Sequence, residues 1–332
     1  MALLFMDGFD VNDLATKGWV GGLDHYATGR FGGKAAVPGQ NTILKKTITA
    51  SAKVIVGGAW FVDTMLDANQ SMLMFWGDAG ATVHLALRAY ANGSFKLYLG
   101  DAGTLLATSA TGLYVPNIWR YLEMSATIAD AGGRVTVKID GSTIIDFTGD
   151  TKNGGTNTTI DTVGFGNNGT FQAYGNWDDL YVCNDSGSAN NAFLGDVRVQ
   201  TLYPTGAGSS TQFTPTGVAN NWDNVNDTPY STATYNADSV PGHRDTYAMA
   251  DLVAGTGTVF GVQDNILALK SDAGAASIKA AIKSGGTVYY DSALTLSASA
   301  TESTALREVD PATSAAWTPA NVNSLEFGAE IV

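Results

Sequence analysis

The sequence predicts an all-β protein built as two antiparallel β-sandwich, jelly-roll-like domains. Three observations carry that expectation. Apolar residues recur at every second position in short segments, glycine fills 39 of 332 positions, and glutamate occurs only at Glu123, Glu302, Glu308, Glu326 and Glu330. Period-two alternation suits a pleated strand, and a chain rich in Gly, Asp, Asn and Thr carries turn and strand chemistry instead of helix propensity. With 45% apolar and 10% aromatic residues, the chain can bury a core in each of two domains.

The strands follow in order. KVIVGGAWFVD (53–63) and SMLMFW (71–76) read as extended segments. In HLALRAYANGSFKLYLGD, Leu85, Leu87 and Ala89 alternate with more polar positions, as do Phe95, Leu97 and Leu99. A two-residue turn at Asn92-Gly93 pairs Leu87 with Tyr98 and splits the apolar sets between faces. A three-residue loop, Ala91-Asn92-Gly93, pairs Leu87 with Leu97 and Ala89 with Phe95, and is the expected hairpin. WRYLEMSATI comes next, then GGRVTVKIDGSTIIDF, where Val135, Val137 and Ile139 precede Asp140-Gly141 and the register is open between two loop lengths. DTVGFG and GNWDDLYVCN complete the first set.

NDSGSANN, at 184–191, is small and polar and reads as a junction, giving domains 1–186 and 187–332. GDVRVQTLY follows, then a long loop-like region from 204 to 245, then strands in TVFGVQDNILALKS, GGTVYYD and LTLSAS. AASIKAAIKSGG fits either period; a strand is favoured because a Ser284-Gly285-Gly286 loop then pairs Ile282 with Val288 and Ala280 with Tyr290.

The net charge is −13, and no basic cluster exceeds Lys45-Lys46, which argues against nucleic acid or an anionic membrane as partner. No segment is long enough to span a bilayer, and MALLFM, stopped by Asp7, is too short for a signal-peptide core; membrane insertion and secretion by that route are not expected. The single Cys183 reads as a buried small hydrophobe.

Motifs for chemistry are sparse. GRFGGKAA (29–36) lacks the spacing and the hydroxyl of a phosphate-binding loop and reads as a tight turn feeding a strand. His25, His84 and His243 stand apart from other metal-ligand residues, and no nucleophile elbow is present. Glu123 falls at a solvent-facing strand position by alternation. Asp178 and Asp179, as strand neighbours, point to opposite faces and make a poor acid/base dyad. Asp178, Asp179, Asp223 and Asp227 are candidate oxygen donors for calcium, the one cofactor considered. Trp177, Tyr174 and Trp76, with Trp19, are candidates for stacking on a glycan, each weighed against a place in the core.

GRFGGKAA, NIWRYLEMSATIADAGGRVTVKIDGSTI and GNWDDLYV resemble, in this order, the segments of the concanavalin A-like, laminin-G-type jelly roll, over about residues 1–185. In that family the acidic pair marks entry to the last strand; the Glu-x-Asp-x-x-Glu strand of its glucanase branch is missing here. GDVRVQTLYPTG, NNWDNVNDTP, HRDTYAMADL and WTPANVNSLEFGAEI are similar to a module of bacteriophage virion proteins. The resemblance implies a non-enzymatic virion structural protein, tail- or fibre-associated, made in the host cytoplasm without a signal peptide. Its partners would be other virion proteins, further copies of itself and host surface glycan. A capsid decoration protein and a lectin-like carbohydrate-binding module are the alternatives.

Overall fold

A computed structural model describes every residue except 1, 12–13, 66–69, 102, 168–174 and 254–256. The chain is all-β and divides into two compact units, Met1–Asp10 with Gly18–Val199, and Val11–Lys17 with Gln200–Val332. The division falls after Val199, not at 186, so the expected boundary moves. The chain after the small polar stretch is no free linker: the backbone amides of Leu194, Gly195 and Val199 hydrogen-bond back into the first unit.

The first unit opens with β1 (Leu3–Asp7), β2 (Trp19–Val20), β3 (Leu23–Thr28), β4 (Lys34–Pro38), β5 (Thr42–Ser51) and β6 (Lys53–Val62). β7 (Gln70–Gly77), β8 (Thr82–Ala89), β9 (Phe95–Leu99) and β10 (Thr104–Thr108) form a meander. β11 (Arg120–Thr127), β12 (Gly133–Ile139), β13 (Ser142–Gly149), β14 (Ile160–Asn167) and β15 (Gly175–Asn184) complete it. One sheet has the order β13-β12-β11-β6-β15-β4-β3, with β1 also paired to β15; the other is β10-β9-β8-β7-β14-β5-β2.

Aromatic rings from the two sheets meet between them. Trp60 of β6 lies 6.0 Å from Phe95 of β9, and Trp177 of β15 lies 4.8 Å from Phe165 of β14. Each fully buried ring removes on the order of 150 to 250 Å² from water, so these pairs anchor the sandwich.

The hairpins test the sequence reading. Leu87 pairs with Leu97 and Ala89 with Phe95, and Gly93 has φ +75, so the three-residue loop is as expected. At Asp140-Gly141 the open register has a mixed answer. Both residues have positive φ, closing a two-residue turn, and a bulge at Val137/Lys138 then brings Val137 opposite Ile145 and Val135 opposite Phe147.

The second unit contains β16 (Pro204–Thr211), β17 (Thr214–Thr216), β18 (Tyr235–Ala237), β19 (Arg244–Met249), β20 (Val262–Ala268) and β21 (Ser277–Ser284). They are followed by β22 (Thr287–Tyr290), β23 (Leu294–Thr295), β24 (Thr301–Arg307), β25 (Val309–Asp310), β26 (Ala315–Ala316), α1 (Pro319–Asn323) and β27 (Glu326–Ile331). The main sheet is β16-β19-β27-β21-β22 with β23 beside β21, and three two-stranded ribbons accompany it. Ile282 packs with Trp317, Val322 and Leu325, and Val262 of the β20–β24 ribbon joins them.

Two expectations are refined here. Residues 204–245 are mostly loop, as expected, but hold strands the sequence did not announce: β16 is an edge strand rich in Gly, Ser and Thr held by β19, and β17 pairs with β18. AASIKAAIKSGG is a strand, but Ile282 faces Tyr289 and Ala281 faces Tyr290. Gly285 and Gly286, at φ +56 and +83, turn the chain in two residues, one fewer than expected.

Candidate functional site

Asp178 and Asp179 sit in a β-bulge. β15 pairs Asp178 with Ala59 and Tyr181 with Gly57, so Asp179 and Leu180 together oppose one residue of β6. Asp179 has φ +52, which breaks the alternation on which the opposite-faces expectation rested. At the same point β15 exchanges neighbours on its other edge: Trp177 pairs with Ala36 of β4, and Leu180 onward pairs with β1.

The bulge gathers polar groups. Asp178 accepts from the Arg30 amide at 2.7 Å and the Asp179 amide at 2.7 Å; Asp179 accepts from the Val199 amide at 2.8 Å. Asp179 Oδ2 is buried without a hydrogen-bond partner, 3.7 Å from Arg30 Nη1, while Arg30 grips Asp196 with two bonds of 2.5 and 2.6 Å. Burial, then the neighbouring Asp179 charge, pushes the Asp178 pKa up to about 7; burial pushes Asp179 up to about 6.

Glu123 is not solvent-facing. It is 1% exposed, and its Oε1 accepts from the Tyr181 hydroxyl at 2.5 Å and the Gly195 amide at 2.9 Å. The parity of β11 was legible: Tyr121 and Glu123 point away from the sandwich interior. The cover was not, because it comes from residues 192–199 crossing that face, with Leu194 N donating to the Tyr181 hydroxyl and Cys183 Sγ donating to the Ala192 carbonyl.

The calcium candidates are occupied by protein donors. Asp223 accepts from Asn226 and Asp227 from Thr234, and no group of three or more His, Cys, Asp or Glu side chains among the described residues is placed to hold a metal ion. The glycan candidates are corrected as well. Trp177, at 2% exposure, lies in the inter-sheet core, and Trp19, at 4%, packs there with its Nε1 bonded to Asp7. Trp76 does lie on the outward face of the seven-stranded sheet, but it is 3% exposed, flat over Gly164 and capped by Lys45 Nζ at 4.6 Å from the ring centre. Tyr174 is outside the described residues.

That outward face holds a different constellation. Lys45, Gly164, Met74, Ala86, Tyr98 and Leu105 are successive partners across β5, β14, β7, β8, β9 and β10. The middle of the row is covered: Gly164 lies under the Trp76 ring, and Met74 and Ala86 are buried with Trp76, Ile43 and Val83, so the accessible end of the row is at Tyr98 and Leu105. Arg88 faces Lys96 in the neighbouring row, and the Tyr90 and Tyr98 hydroxyls meet at 2.5 Å. Burial, then the Tyr98 bond, pushes the Tyr90 pKa up to about 12.

Arg88 is 8% exposed, lies 5.2 Å from the Tyr98 ring centre and donates to Asp101 at 3.0 Å; it positions Tyr98. Lys96 is half-buried, 4.1 Å from the Tyr90 ring centre, and forms no ion pair among the described residues. Two half-buried tyrosines near an ammonium without an ion pair can stack on an apolar ring face and attract an anion. Sequence alternation alone could have placed Arg88, Lys96 and Tyr98 on one face, opposite the apolar set that was followed instead.

The sequence matches no described protein family and no curated protein. Among solved structures, the chain is similar to a Bacillus subtilis protein of unknown function with a galectin-like fold, at 15% identity over 55% of this chain and 96% of that one, with a TM-score of 0.41. It is also similar to a carbohydrate esterase from the Shiga toxin-encoding bacteriophage phi24B, at 16% identity over 52% and 92%, TM-score 0.36. An alginate lyase, Aly36B, matches at 15% identity over 49% and 79%, TM-score 0.33. Likeness of this degree carries no argument about what this chain does.

The expectation of a non-enzymatic protein is nevertheless withdrawn. It rested on polar side chains never converging, and Glu123, Tyr181, Asp179 and Arg30 do converge. An alginate lyase and a carbohydrate esterase stand among the similar structures.

Proposed function

We propose that the chain is a glycan-binding protein that engages an acidic sugar through the outward face of its seven-stranded sheet, as a component of a bacteriophage particle. The observation that carries the binding reading is Lys96. In a chain of net charge −13, it is an ammonium without an ion-pair partner among the described residues, 4.1 Å from the Tyr90 ring centre and two residues from Tyr98 on β9. Half-buried tyrosine rings with polar groups beside them suit a sugar ring, and the cation favours a carboxylate-bearing one. The particle setting comes from the resemblance of residues 187–332 to a virion module. In that setting the chain assembles with other virion proteins and with copies of itself and presents the face to host surface glycan, on a tail or fibre or as a capsid decoration.

A glycan array containing uronate- and sialate-bearing oligosaccharides tests the reading. Lys96→Ala and Tyr98→Ala each weaken binding about tenfold, equivalent to about 1.4 kcal/mol, and added salt weakens the wild type more than Lys96→Ala. Undiminished binding by the folded Lys96→Ala/Tyr98→Ala double variant, or silence across the array, refutes it.

A further inference from the structure

The second unit contains a pocket of about 120 Å³ lined by Trp222, Tyr247, Asn220, Asn221, Thr211 and two alanines, Ala207 and Ala219. Its walls are held by a closed hydrogen-bond network. Tyr247, 8% exposed, donates its hydroxyl proton to Asp245 Oδ2 at 3.2 Å and accepts from Asn236 Nδ2 at 2.9 Å. Asp245, fully buried, also accepts from the Gln212 and Phe213 amides at 2.6 and 2.8 Å and from Asn221 Nδ2 at 2.5 Å. Asn221 Nδ2 donates as well to the Phe213 carbonyl at 2.8 Å, which leaves the Asn221 Oδ1 to accept.

Two physical features select a ligand class. A half-buried indole beside small alanine side chains offers a flat apolar wall, while Thr211, Asn220 and Asn221 supply hydroxyl and amide groups around it. The charge next to the pocket is negative: Asp245 lies behind Tyr247 and Asn221 and forms no ion pair among the described residues. A buried carboxylate repels an anion through poorly screened surroundings.

We infer that the second unit binds a neutral sugar ring, a hexose or N-acetylhexosamine, in the pocket between Trp222 and Tyr247. This site takes a ligand of different charge from the Lys96 face and does not depend on it. The network fixes the walls before a ligand arrives, so little ordering cost is added on binding.

Saturation-transfer NMR on the full chain tests the inference, with methyl hexosides and methyl N-acetylhexosaminides as probes and glucuronate as the anionic control. The neutral glycosides give saturable transfer to the wild type. Trp222→Ala weakens it about tenfold or more. Ala219→Leu, at an exposed position whose longer side chain fills the pocket, does the same and stays informative if Trp222→Ala fails to fold. Lys96→Ala leaves neutral-sugar binding unchanged, which separates this site from the proposed function of the first unit. Three results overturn the inference: no saturable transfer from any neutral glycoside, wild-type binding by folded Ala219→Leu, or glucuronate binding that is lost with Ala219→Leu.

Discussion

Asn in place of Asp179 should make the protein more stable at neutral pH and remove the loss of stability that this group causes as pH rises through about 6. Asp179 is 2% exposed, and burial raises its pKa from 3.8 to about 6. Between those values the folded state holds a proton that the unfolded state has released. Stability from this group is therefore fully present below pH 3.8 and is lost as pH rises through about 6. A shift of about two pKa units corresponds to roughly 3 kcal/mol. Asn keeps an oxygen to accept from the Val199 amide and replaces the unpartnered Oδ2 with a neutral group. The attraction to Arg30 across 3.7 Å already opposes burial within that shift, so the net gain at pH 7.5 is on the order of 3 kcal/mol. Urea unfolding of the full chain at pH 4.5, 6 and 7.5 measures both quantities. Parallel pH profiles for wild type and Asp179→Asn would show that the buried carboxylate is already ionised without penalty, and the reasoning would fail.

Substitutions at three further positions probe the first unit. Trp177→Ala, which empties a core site 4.8 Å from the Phe165 ring centre, should cost about 3 to 5 kcal/mol in urea unfolding; a surface stacking residue would cost under 1. Gly164→Val places a Cβ 2.6 Å from the Trp76 ring and 2.7 Å from Ile43 Cγ2, and should lower stability by about 1 to 3 kcal/mol, read from the thermal midpoint. Glu123→Gln preserves an acceptor for Tyr181 and Gly195 and should leave amide exchange over residues 194–199 near wild type. Glu123→Leu removes the acceptor from both donors and should accelerate that exchange about tenfold or more.

The parts of the fold that were legible in the sequence are those fixed by near neighbours. The Leu87–Leu97 hairpin follows from alternation plus one glycine, and β6, β7, β11 and β14 follow from their apolar runs. Registers that depend on backbone sign were harder. Nothing in Ser284-Gly285-Gly286 states whether two or three residues turn the chain, and nothing in Trp-Asp-Asp-Leu announces a left-handed aspartate. β16 escaped notice because its Gly, Ser and Thr side chains have little strand preference of their own; β19 supplies the hydrogen bonds that extend it. The site suffered from a rule applied too evenly. Alternation names the face that Glu123 or Trp76 occupies, but whether that face meets water depends on residues 192–199 for Glu123 and on the Lys45 side chain for Trp76.

The position of β15 has a consequence for how the chain is made. It lies between β6 on one side and β4 and β1 on the other, yet it is the last strand of its unit to leave the ribosome. Until Gly175–Asn184 emerges, β6 has a vacant flank and β1 has no partner strand in its sheet. The N-terminal half must therefore wait, with hydrophobic edges uncovered, for a segment synthesised some 170 residues later than the strand it joins, and closure by so distant a piece is slow.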